Sequence, residues 1–412
     1  MRKKPEITAP VGSFESLWAA IQAGAKSIYF GAGNLNMRSK STFNFTTEDL
    51  LEIQKIANRH RIKTYLAVNT VIYDDDIKKV EEILDAASFA GINAIIASDF
   101  AVIQRARQRN LPVHCSTQLN ISNIDAVRFF AQYADVMVLA RELSLEQTKN
   151  IISAIHKEKI TGPSGKLVRI EIYAHGALCM AISGKCYLSL HLHDHSANRG
   201  ECLQVCRRKY LVTEREQGYQ LEIDNEYIMS PKDLATIGFL DRIIDAGVDI
   251  LKIEGRGRSP EYVKRTVECY KEAIDAVFDG SYTAERIEEW RKRLQEVYNR
   301  GFWDGYYLGQ TLGEWNNNYG SSATRRKIYV GFVQNYYSKV RAAAVQVQAE
   351  ELSVGDDILI IGNKTGVLET KVEELRLEDA PIQQVSKGAL CSISVPSKVR
   401  PNDKVYKFEE SR

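Results

Sequence analysis

Apolar positions in this chain fall first in a short, almost unbroken run and then at helical spacing, and the pair of patterns repeats. Glu6 to Ala9 reads as a strand, and Ser13 to Gly24 as a helix with Phe14, Leu17, Trp18 and Ile21 on one face and Ser13 placed to cap it. Further strands are expected at Ser27 to Phe30, Thr64 to Val68, Ala94 to Ala97, Val113 to Ser116, Val136 to Ala140, Val168 to Tyr173 and Ile250 to Ile253. Helical patterns such as Asp75 to Ala90 and Ser144 to Lys157 lie between them. Strands that are nearly continuous apolar runs, alternating with helices, argue for a parallel sheet buried on both faces. Eight of them predict a (β/α)8 TIM-like barrel, whose typical length of roughly 250 residues fits the span to about residue 278.

The interval between the seventh and eighth strands is too long for one helical connection. It is expected to hold an insertion over about 174–235 that carries a cysteine cluster and then a hairpin (Tyr210 to Ile228) and the turn MSPKDL, before a helix from Ile237 to Ala246. From Lys327 the period changes to two. YVGFVQNYY, KVRAAAVQV, DDILIIG, GVLETKVEEL, GALCSISV and DKVYKFEE read as short strands of a small C-terminal antiparallel β-barrel. The expected division is a catalytic barrel domain over 1–280, a helical and aromatic connector over 281–322, and the small β-barrel over 323–412.

Composition adds a location for the chemistry. Four of the seven cysteines, Cys179, Cys186, Cys202 and Cys206, fall within 28 residues directly after the seventh strand, on the face where barrel enzymes place their active sites. The start of the chain turns polar before an apolar segment develops, and no run approaches the roughly 20 residues of a membrane span. A cytoplasmic protein is expected, in which clustered cysteines are metal or redox ligands more often than disulfides. Four thiolates suit zinc or a [4Fe-4S] cluster. The absence of paired Cys-x2-Cys knuckles tilts the reading toward iron and sulfur, with zinc and unligated cysteines left open. The net charge of +2 decides nothing about nucleic acid.

Polar residues at the strand ends should converge on the same mouth: Asn69, Asp99, Gln118 and Asn120, Arg141 and Glu142, His175, and then Lys252, Glu254 and Arg256 at the eighth strand. Lys252 and Glu254 flank Ile253 and share a face. Arg141, Lys252 and Arg256 suit an anionic ligand. His191, His193 and His195 alternate in HLHDH, a pattern that would put them on one face of a strand but is commoner in exposed loops. Two basic clusters with tyrosines nearby, Arg207, Arg208 and Lys209, and Arg325, Arg326 and Lys327, have the composition of an RNA-binding surface.

The stretch EIYAHGALCMAISGKCYLS resembles the signature of the peptidase U32 family, with Tyr173 where the usual pattern has Phe. EITAPVGSFESLWAAIQAGAKSIYFG, STQLNISN, VLARELSL, NRGECLQVCRRKY, IMSPKDL and LKIEGRGRS extend the resemblance, which is greatest to the branch of prephenate-dependent tRNA uridine 5-hydroxylases. That resemblance implies a [4Fe-4S] cluster on Cys179, Cys186, Cys202 and Cys206, although some relatives take the fourth ligand from further along the chain. It also implies oxygen-independent 5-hydroxylation of uridine 34 in the tRNA anticodon, with prephenate as co-substrate. On that reading His175, Lys252 and Glu254 are catalytic candidates, while Arg141, Arg256, Gln118, Asn120, Arg207 and Arg208 bind the metabolite or the anticodon arm. The competing expectation is the family's name, a peptidase or collagenase, for which Cys179 with His175 is the local nucleophile and base.

Overall fold

The computed structural model describes residues 3–40, 44–210, 227, 229–310, 313–317 and 320–411. Eight parallel strands close on themselves: β1 (Glu6–Pro10), β2 (Ser27–Gly31), β3 (Lys63–Val68), β4 (Ala94–Ala97), β5 (Val113–Cys115), β6 (Val136–Val138), β7 (Arg169–Ala177) and β9 (Ile250–Ile253). Each pairs with the next, and β9 lies between β7 and β1. The eight strands are those read from the apolar runs, and the TIM-like barrel stands. The helices α1 (Phe14–Gln22), α2 (Asp49–His60), α3 (Ile77–Ala90), α4 (Phe100–Gln108), α5 (Ile124–Phe130), α6 (Leu145–Glu158), α8 (Leu240–Asp245) and α9 (Pro260–Asp279) alternate with them. Ser13 caps α1 by accepting the backbone N–H of Ser16, as its position ahead of the apolar face suggested.

Two features depart from a plain barrel. β7 runs past Tyr173 to Ala177, and its extension pairs antiparallel with β8 (Asp233–Ala235), which in turn pairs with β10 (Phe302–Trp303). The aromatic connector is thereby laid beside the insertion at the mouth. The barrel interior is also partly polar. Tyr29, Tyr65, Ala67, Ala94 and Ile96 form a small cluster separate from the main core, and the fully buried Glu171 pairs there with Lys252 at 3.3 Å. The expected hairpin falls mostly on 211–226 and 228, outside the described residues.

After α10 (Ala284–Gln295) the chain forms β11 (Arg325–Tyr337), β12 (Ala342–Val347), β13 (Leu352–Ser353), β14 (Asp357–Gly362), β15 (Gly366–Lys371), β16 (Leu375–Leu377), β17 (Ala380–Pro381), β18 (Gln384–Val385), β19 (Leu390–Ser394) and β20 (Lys404–Glu410). These make an eight-stranded antiparallel sheet, order β15-β14-β20-β11-β12-β19-β16-β17, and the β13–β18 pair. They carry their own apolar core, including Val330, Val345, Ile360 and Val405. Leu359, Ile361 and Val367 instead join the barrel core. Gln22 of α1 bonds the β14–β15 turn twice, donating to the Thr365 carbonyl (2.9 Å) and accepting from the Val367 N–H (3.0 Å). Among the described residues no helix is long and apolar enough to cross a membrane.

Candidate active site

The alternation of β9 sends Lys252 and Glu254 to the same side, and both line a cavity of about 120 Å3 at the C-terminal mouth of the barrel. Glu254 accepts from Arg38 (3.0 Å) and from the Tyr29 hydroxyl (3.1 Å). Burial pushes its carboxyl up, but Arg38, Arg141 and Arg256, with the Tyr29 bond, outweigh burial and hold it at about 2. It is therefore an ionised anchor at neutral pH. Burial likewise pushes Glu171 up, against the attraction of Lys252. The Lys252 ammonium also lies 4.5 Å from the centre of the Tyr29 ring.

Two arginines on the cavity wall each carry a buried donor without a partner. Arg141 stacks on Tyr173, 3.7 Å from the ring centre, and donates Nη1 to the Ala177 carbonyl (3.1 Å), leaving its buried Nε without a partner. Arg256 donates Nη2 to Asn36 (2.9 Å), and its buried Nη1 has no partner. Buried donors without acceptors are costly.

The insertion closes the cavity from above. After β7 come a loop, the helix α7 (Leu188–His193) and two single turns, Ala197–Arg199 and Val205–Arg207. Gly184 (φ +77°) and Gly200 (φ +88°) seat it: a Cβ on the first would lie 2.5 Å from the Gln118 side chain, and on the second 2.2 Å from the Asn36 carbonyl. Arg207 clamps the insertion by donating to the carbonyls of Leu178 and Pro231, both at 2.6 Å, and to the Ser230 hydroxyl at 3.2 Å. All four clustered cysteines are free and line the cavity. Burial pushes the Cys206 thiol up, Arg207 opposes this, and the charges of Cys179, Cys202 and Cys186 add to it, so the four sulfurs sense one another. Among the described residues no group of three or more His, Cys, Asp or Glu side chains is arranged to hold a metal ion. The sulfurs form part of the cavity wall rather than a closed tetrahedron.

Of the residues singled out in the sequence, Cys179, Cys186, Cys202, Cys206, Lys252, Glu254, Arg141, Arg256, Gln118 and Arg207 come together here. Three do not. His175 is buried among Tyr262, Tyr270 and Phe302, with ring centres 5.4 to 6.0 Å away, and burial lowers its imidazole to about 3. The reason is a register irregularity between Tyr173 and His175 in the β7–β9 pairing, which breaks the alternation that would have aimed it at the cavity. Asn120 closes the turn after β5 in the left-handed conformation (φ +51°) and lies off the cavity. Arg208 is exposed, 3.4 Å from His193. His191 and His193 sit on α7, not on a strand, and His195 pairs with Glu201 at 3.1 Å.

Asp99 caps α4 by accepting the N–H of Ala101. The second basic cluster is paired with acids: Arg325 with Glu296 and Asp357, Arg326 with Glu409, and Lys327 with Glu261. Arg38 and Tyr29 were not singled out in the sequence. The signal that could have found Arg38 is its place in GAGNLNMRSKS, the glycine-rich loop at the end of β2.

Known proteins place this geometry in a family. The sequence model of peptidase family U32 matches residues 12–317. The protein named "Collagenase" of Porphyromonas gingivalis is 55% identical over 405 residues, covering 98% of each chain. The "tRNA hydroxylation protein P1" of Bacillus subtilis is 33% identical over 384 residues, covering 90% of this chain and 88% of that one. A solved U32 peptidase structure aligns over 61% of this chain and 93% of its own, with 12% identity and a TM-score of 0.39. Matched along most of its length by that family and its members, the chain belongs to peptidase family U32.

Proposed function

We propose that this protein is an RNA-modifying enzyme that hydroxylates carbon 5 of uridine 34 in tRNA anticodons, without molecular oxygen and with prephenate as co-substrate. The observation that carries the reading is the convergence on one cavity of four free cysteines with Arg141, Lys252 and Arg256. The soft thiolate donors fit a [4Fe-4S] cluster held by Cys179, Cys186, Cys202 and Cys206, which when bound would supply one-electron redox chemistry. Thiolates also suit zinc by donor type, but the described sulfurs are not arranged as the closed tetrahedron a single zinc ion takes. The guanidinium groups of Arg141 and Arg256 on the cavity wall suit the two carboxylates of prephenate. Glu254, held ionised, keeps Arg38 fixed beside Cys179 and Cys202. The relatives named for tRNA hydroxylation support RNA as the substrate class.

The test has two arms. Protein purified without oxygen should be brown, with about four iron and four sulfide per chain. A colourless protein holding only zinc would reject the cluster. Nucleoside analysis of tRNA from a deletion strain should show loss of 5-hydroxyuridine derivatives, and unchanged levels with no paralogue present would reject the hydroxylase. Arg141→Ala should raise the prephenate concentration required by about tenfold or more, the loss of a charge-assisted bond.

A second reading, proteolysis, is favoured by the names of the relatives at 55% and 51% identity. The placement of His175 off the cavity removes the expected base for Cys179. Collagen or gelatin cleavage by the same preparation, lost in Cys179→Ala, would restore it.

A further inference from the structure

Behind the cysteine loop lies a second pocket, of about 190 Å3, and it shares a wall with the central cavity: Arg141 and the segment from Leu178 to Ser183, Cys179 included, face both. Its far side is aromatic. Trp303 and Tyr306 meet edge to face with centres 5.3 Å apart, and Trp315 lines the same pocket, with Gly313 placed so that a Cβ there would be 3.7 Å from the Cη2 of each tryptophan. The Trp315 segment is pinned to the insertion by two backbone bonds, Lys232 N–H to the Glu314 carbonyl (2.9 Å) and Asn316 N–H to the Ser230 carbonyl (2.8 Å). Trp303 is 4% exposed, and its indole N–H has no hydrogen-bond partner. Arg141 and Glu142 provide a polar edge.

From this geometry we infer that the side pocket is a subsite for one nucleobase of the RNA, the base flanking the target uridine, stacked against Trp315 and edged by Arg141 and Glu142. The inference rests on the RNA reading above and deepens it. An apolar cavity of about 150 Å3 accepts benzene, so this volume suits a single six-membered ring rather than a whole nucleotide. Stacking on aromatic side chains with polar groups at the rim is how single-stranded bases are held. Cys179 lines both pockets, so base capture and the chemistry of the central cavity are joined through the loop from Leu178 to Ser183.

The experiment uses the full chain purified anaerobically, labelled with 15N at the tryptophan indoles, and titrated with a synthetic anticodon stem-loop RNA. The Trp303 signal, assigned with Trp303→Phe, should shift, while those of Trp18 on α1 and Trp290 on α10 stay. Trp315→Ala should weaken RNA affinity by about five- to 150-fold, the range for loss of one stacked base, and Trp315→Phe should keep most of it. If the wild-type protein binds the RNA but Trp303 does not move and Trp315→Ala binds equally well, the subsite is refuted and the RNA reading stands. If prephenate alone moves Trp303 as the RNA does, the pocket belongs to the metabolite and the proposal is overturned. Absence of any RNA binding overturns both.

Discussion

Replacing Lys252 by methionine tests whether the barrel interior holds a true buried ion pair. Lys252 and Glu171 have side chains 3% and 0% exposed, 3.3 Å apart, and the second Glu171 oxygen has no hydrogen-bond partner. Methionine keeps most of the volume and removes the one cation ion-paired with Glu171 among the described residues. Breaking a buried pair by deleting one partner costs roughly 3–5 kcal/mol. At about 2 °C per kcal/mol for a domain of this size, the barrel should melt about 6–10 °C lower. The loss also has a pH signature. Burial already pushes Glu171 above the ordinary carboxylate range despite Lys252, so the native state binds a proton more tightly than the unfolded chain. Stability from such a group is greatest below the unfolded value near 4.3 and falls as pH rises through the folded value. Without Lys252 that window extends upward. Urea unfolding at pH 5 and pH 8, with the barrel transition fitted separately from that of the C-terminal sheet, should show the variant weaker at pH 8. The double variant Lys252→Met with Glu171→Gln should recover most of the loss. A single variant within about 1 kcal/mol of wild type and flat with pH would refute a dry, paired interior.

Three further outcomes follow from other contacts. Because Glu254 is held at about 2 by its arginines against burial, its stabilising contribution is full above about 4.3 and fades as pH falls toward 2; Glu254→Gln should flatten that acid limb, read as the acid-unfolding midpoint. Gly200→Ala meets the Asn36 carbonyl at 2.2 Å from a positive φ and should unseat the insertion, measured as faster proteolysis between residues 178 and 210, whereas Gly165→Ala, with open space around it, should leave that rate unchanged. Gln22→Ala leaves the Thr365 carbonyl and the Val367 N–H without their partner and should cost about 1–3 kcal/mol, seen in hydrogen exchange as loss of protection in the β14–β15 turn; unchanged exchange there would mean that apolar contact alone docks the sheet.

The chain by itself determined what depends on near neighbours. Apolar runs of strand length must be buried on both faces, so all eight barrel strands were legible, as was the Ser13 cap. The cysteines were legible as a group because they are close in sequence, and Lys252 and Glu254 because two-residue alternation puts them on one face. Only the tertiary structure decided the rest. One irregularity in β7 turned His175 away from the cavity toward Tyr270, which no periodicity could announce. Arg38 and Tyr29 reach Glu254 because β2 and β9 both flank β1, a neighbourhood set by barrel closure across more than 200 residues of chain. The basic run at Arg325 looked free until β11 brought it against Glu261, Glu296 and Glu409. Trp303 stands behind Cys179 because β8 pairs with both β7 and β10, and Trp315 because it bridges Pro231 just ahead of β8. Long-range hydrogen-bond register, which local composition does not encode, brought these groups together.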